Sequence, residues 1–156
     1  MTDFAKGTSH GGRNGFQIQH GGHIRISLEA EADAVYREGS VVQMNSDAEL
    51  ELSTDQNTLL TGITDTRRDP IGDPFNDHTT GSGKATIVLD PAVVETIELT
   101  SGAVFQPNSK VFQDGAGKWN SDPAATDNRV YGTALNLAVA NAGDTLRMFY
   151  EAQGPA

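Results

Sequence analysis

Short runs that alternate apolar and polar residues, each cut off by Gly, Pro, Asn or Asp, constrain this chain more than any other feature. Ile24-Arg25-Ile26-Ser27-Leu28-Glu29 alternates without a break, the period-2 pattern of a strand with one face buried. Val41-Val42-Gln43-Met44, Glu49-Leu50-Glu51-Leu52 and Leu59–Ile63 follow, with further β-like runs over 85–89, 93–99, 103–106, 111–113, 130–139 and 145–150. Turn signals separate most of them at intervals of about 8–12 residues, the spacing of an all-β sandwich or barrel. Nowhere do apolar residues recur at i, i+3, i+4 and i+7 over three turns, so helix is limited to single turns over 32–37 and 122–128. The pattern predicts an all-β fold, a compact small barrel or sandwich of the β-tulip kind, with little helix.

The segment 1–23 stands apart. It holds six of the 17 glycines, and its large apolar residues are Met1, Phe4, Phe16 and Ile18. A segment so poor in apolar surface does not offset the entropy of its own ordering. Residues 1–23 therefore read as a flexible arm, and 24–156 as a single β domain. Two readings of the arm stay open: a loose terminus, or a segment that orders on a partner through Phe4, Phe16 and Ile18. Charge divides the same way. One acid and two bases leave the arm near +1, while 20 acids and nine bases give the rest −11, against −10 for the whole chain.

That balance argues against binding a nucleic-acid backbone or an anionic membrane surface, both of which need clustered Lys and Arg. No stretch nears the ~18 apolar residues of a membrane-spanning helix, and the N-terminus lacks the apolar core of a secretory signal. With no cysteine, disulfides, thiolate catalysis and Cys-ligated metals are excluded. The expectation is a soluble, acidic domain.

A weak internal similarity runs through the chain. Ser40–Asn45 and then Thr61–Asp65 are matched by Ser109–Asp114 and then Tyr131–Leu135, at an offset that is constant to within one position. Each pair precedes a Gly-led apolar strand, Gly83–Leu89 and Gly143–Tyr150, here at a shorter offset. Convergent β patterning and duplication of one β unit both account for it.

Chemistry is sparse. His10, His20 and His23 lie among glycines that supply no second shell for a metal. His78 sits in a long acidic loop, 65–83, with Asp69, Asp73 and Asp77, whose spacing matches no EF-hand. No nucleophile elbow, zinc-protease, Walker or dinucleotide signature is present. The carboxylate pairs Glu49/Glu51 and Glu95/Glu98 have the composition of a glycosidase dyad, but at strand spacing such pairs more often line a solvated face. Trp119, the lone tryptophan, lies in Gly117-Lys118-Trp119-Asn120. There it can stack on a sugar, fill an oligomer interface or pack under its own loop. The expectation is no enzyme, no metal and no cofactor.

Several passages together resemble a known family. They are Glu38-Gly39-Ser40-Val41-Val42, Leu60-Thr61-Gly62-Ile63-Thr64, Ser101-Gly102-Ala103-Val104-Phe105, Ser109-Lys110-Val111-Phe112, Val130–Leu135 and Ala142–Met148. Their order is similar to that of the head decoration (cement) proteins of tailed bacteriophages, the lambda-type decoration proteins and relatives. The resemblance spans about residues 35–150 and is one of layout; the 65–83 loop is long for the simplest members. It implies a β-rich body, often a homotrimer, on the outer surface of the virion capsid. It also implies an N-terminal arm that pairs with strands of the major capsid protein and stabilises the expanded shell. Phe16, Ile18, Ile24 and Ile26 share one parity, suited to such strand addition. The competing readings are a phage tail or fibre component and a carbohydrate-binding β module using Trp119.

Overall fold

A computed structural model describes residues 15–32, 34–54, 60–68, 83–123 and 128–151. The fold is all-β, as the alternation predicts. Thirteen strands form among the described residues: β1 (Gln17–Gly21), β2 (Arg25–Ala30), β3 (Val41–Met44), β4 (Glu49–Leu52), β5 (Thr61–Thr64), β6 (Lys84–Val88), β7 (Ala92–Thr96), β8 (Val104–Phe105), β9 (Lys110–Gln113), β10 (Trp119–Asn120), β11 (Gly132–Ala134), β12 (Ala138–Val139) and β13 (Leu146–Tyr150). Helix among the described residues is a single 3-10 turn, Ala140–Ala142. It lies outside both segments expected to hold a helical turn. Over 32–37, Tyr36 instead forms a backbone bridge with Arg68.

Two five-stranded units make up the body. In the first, β2, β6, β5, β3 and β4 pair in turn, and β4 returns to β2 in parallel to close a barrel. In the second, β7, β13, β11, β9 and β10 pair in the same sequence, and a parallel bridge between Leu99 and Trp119 brings β10 back beside the end of β7. The two follow one plan. Val42 faces Gly62 across β3 and β5, as Val111 faces Gly132 across β9 and β11. Met44 faces Leu50 as Gln113 faces Trp119. The closing bonds correspond as well: Glu31 N–H donates to Leu50 O at 2.9 Å, and Thr100 N–H to Trp119 O at 2.8 Å. The internal similarity in the sequence is therefore a repeated five-strand plan, closed as a barrel in the first unit and joined by the single Leu99–Trp119 bridge in the second. Its offset shortens at the last strand because β5 and β6 are joined by a longer connection than β11 and β13.

Glycine is required at the matched positions. A Cβ on Gly62 would lie 2.5 Å from the Val88 carbonyl oxygen, and one on Gly132 would press still closer on that of Phe149. Neighbouring backbone crosses both strands too closely for any side chain.

Each unit has its own apolar centre. Leu50, Ile87, Val42 and Tyr36 fill the first, while Trp119, Tyr131, Tyr150, Phe105 and Met148 lead the larger second. The second also takes in Val41 and Ile63 from strands of the first. Hydrogen bonds cross between the units as well: Tyr150 Oη donates to Thr61 O at 3.0 Å, and Trp119 Nε1 to Gly39 O at 3.1 Å. The body expected over 24–156 is thus a closed barrel interlocked with a sheet unit of the same strand plan, with β1 and the β8–β12 ribbon added to the second.

Candidate functional site

The N-terminal strand and the edge beside it are where sequence and structure meet. β1 runs antiparallel to β7, with Gln17 opposite Glu95, Ile18 opposite Val94, and His20 opposite Val93. Gln19 is the extra residue of a bulge, and its side-chain oxygen accepts a hydrogen bond from Arg147 Nε at 2.6 Å. The expected boundary at residue 23 is therefore corrected: the chain joins the second unit's sheet from Gln17. Composition misleads here because it treats the segment alone, whereas β7 supplies the ladder that orders it.

The proposed anchors separate accordingly. Phe16 is only 5% exposed and belongs to the second unit's core, so it is not available to a partner. Ile18 is half-buried against that same core. Ile26 is half-buried over the first unit's core, and Ile24 is 55% exposed. The bulge also breaks the shared parity expected from Phe16 to Ile26. Phe4 lies outside the described residues, as do His10 and the acidic residues and His78 of the 69–82 stretch.

Where β1 gives way to β2, Ile18–Gly22, His23 and Arg25 line an open groove of about 590 Å³. His20 and His23 are exposed along it. Arg25 donates through Nε to Gly22 O at 2.9 Å and forms an exposed ion pair with Asp65 at 3.0 Å. The groove thus presents two exposed imidazoles beside one guanidinium that Asp65 already neutralises. Among the described residues, no three His, Asp or Glu side chains converge as metal ligands.

Trp119 overturns two readings at once. Its side chain is fully buried and meets the rings of Tyr131 and Tyr150, each at 5.9 Å between centroids. It neither stacks on a sugar nor forms an oligomer surface. The flanking Gly117 and Lys118 suggest an exposed turn, but the bridge to Leu99 folds β10 against the core.

The carboxylates are also placed. Glu49 and Glu51 alternate on β4, and the Asn45 side-chain amide lies 3.4 Å from carboxylate oxygens of Glu31, Glu49 and Glu51. Gln43 donates to Glu51 as well. A hydrogen bond between the Glu31 and Glu51 carboxyls raises the pKa of Glu31 above the usual carboxylate range; burial and the Glu51 charge add to the effect, and Asn45 opposes it. Glu31 is absent from the expected pairs because only the barrel closure of β2 on β4 brings it there. Glu95 faces Gln17 on one side and Arg147 on the other. Glu98 is raised by burial, an effect opposed by Arg37 at 3.7 Å and by Lys118. Glu31, Glu49 and Glu51 thus share one hydrogen-bonded group with Asn45 and Gln43, while Glu98 is held by its ion pair with Arg37.

No family model matches the chain, and no curated protein is detectably similar to it.

Proposed function

We propose that this chain is a structural virion protein that decorates the outer surface of a bacteriophage head and stabilises the expanded shell. The reading begins from the resemblance in layout to head decoration proteins. One structural observation supports it most: β1 adds as a strand to the edge of β7, with Gly15 and Phe16 at its leading end. Among the described residues β1 is the outer strand of its sheet, so its far edge is open. That is the position from which backbone hydrogen bonding extends onto a neighbouring chain. In this reading residues 1–14, with Phe4, dock on the major capsid protein, a shorter arm than the 1–23 segment.

The rest of the body suits an outward position. The acidic surface keeps particles apart and away from the packaged nucleic acid. The action is mechanical: many modest contacts clamp the seams between capsid subunits, and assembly into a homo-oligomer multiplies them.

The test is co-sedimentation of the full chain with heads assembled from the major capsid protein of the phage that encodes it, before and after expansion. The expected result is saturable, stoichiometric binding to expanded heads. A chain that stays in the supernatant with both forms contradicts the proposal.

A further inference from the structure

The repeated strand plan exposes a difference between its two halves. In the second unit β7 is paired on one side by β13 and on the other by β1. Its counterpart in the first unit, β2, is paired by β6 along Arg25–Glu29, but β4 reaches only Glu29 and Ala30. The seat that β1 occupies on β7 is unfilled on β2 among the described residues.

The ladder shows which groups this leaves open. Leu89 N–H donates to Ile24 O at 2.9 Å, and Ala30 N–H to Gly83 O at 2.6 Å. In an antiparallel pair such bonds alternate, so Ile24, Ile26, Leu28 and Ala30 bond toward β6. The N–H and C=O groups of Arg25 and Ser27 point the other way, and no described backbone group accepts or donates there. Beside them Ile24 is 55% exposed.

We infer that this edge pairs with the same edge of a second copy, β2 against β2 about a twofold axis. The charge pattern selects that occupant. The strand begins with Arg25 and ends with Glu29, so an antiparallel copy sets each cationic start against an acidic end. With Arg25 opposite Ser27 of the other copy, four backbone hydrogen bonds form from the groups now open. In this register Arg25 lies diagonal to Glu29 of the other copy, whose own outer edge is held by Glu49 of β4, and Ile24 is brought beside Leu28. Arg25 keeps Asp65 as its neighbour within the chain, and Lys84 lies 4.0 Å from Glu29. The inference does not rest on the shell-binding reading. It also differs from the resemblance, which implies three copies where a twofold pairing closes at two.

Light scattering on the full chain, combined with hydrogen exchange at low and high concentration, tests it. The expected mass is twice 16.6 kDa, with the Arg25 and Ser27 amides slowing at least about tenfold as the dimer forms. Ser27→Pro removes an outward donor without touching a bond to β6, and it should weaken association about tenfold or more. Exchange on the unaltered chain decides the matter even if that variant folds poorly. A monomer throughout, a trimer, or a dimer whose Arg25 and Ser27 amides exchange as fast as in the monomer overturns the inference.

Discussion

Trp119 Nε1 donates to the main-chain oxygen of Gly39 across 3.1 Å, joining residues 80 positions apart. The bond ties the second unit's central side chain to the turn that leads into β3 of the first. The indole thus serves both the packing of one unit and the docking of the two.

Trp119→Ala is expected to destabilise the fold by about 3–5 kcal/mol, the range for removing a large buried aromatic. Trp119→Phe keeps most of the packing and leaves the Gly39 carbonyl without its indole donor, at a cost of about 1–3 kcal/mol. Urea unfolding of the three proteins measures both. A Trp119→Ala variant as stable as the parent contradicts the buried placement.

The matched glycines should behave as a pair. Gly62→Ala and Gly132→Ala each push a Cβ into a backbone carbonyl, and each is expected to cost more than about 2 kcal/mol. Gly102→Ala is the comparison, since a Cβ there meets nothing within 4 Å although φ is +84°. Its cost is about 1 kcal/mol, from left-handed backbone alone. Thermal melts rank the three. Sensitivity at Gly62 without sensitivity at Gly132 contradicts the structural equivalence of the two units.

The carboxyl pair sets a pH dependence. Because the Glu31 pKa is raised in the folded state, the fold binds a proton there more tightly than the unfolded chain does. Stability from this group therefore increases as pH falls from neutrality through the raised pKa toward the ordinary value of 4.5. Glu31→Gln removes that dependence and stabilises the protein at pH 7 relative to the parent, with the gap narrowing by pH 5. Chemical denaturation at the two pH values measures it. A gap that widens on acidification has the wrong sign for a raised carboxyl.

Much of the barrel was legible in the alternation itself. Arg25–Ala30 and Glu49–Leu52 each place one face on the first unit's core, where the period of two puts it. The repeat was legible because Gly62 and Gly132 answer the same backbone crossing. β1 was not, since Gly15–Gly22 carries little apolar surface of its own and is ordered by pairing with β7. The choice among the three readings of Trp119 was hidden for a similar reason, because its burial depends on a bridge to Leu99, well back along the chain. The open edge of β2 was hidden too. An alternating strand looks the same in sequence whether one or both of its edges are paired.

The N-terminal boundary carries the functional account. Removing residues 1–14 leaves Phe16 and β1 in place, so the melting temperature should stay within a few degrees of the parent. Removing 1–23 strips β1 from β7 and Phe16 from the core, a loss of about 3 kcal/mol or more. Shell binding should vanish in both. The most direct measurement is therefore co-sedimentation of the 1–14 deletion with expanded heads beside the full chain. The account predicts that the full chain binds stoichiometrically and that the folded deletion does not. A deletion that decorates heads at full affinity, or a full chain that binds none, contradicts it.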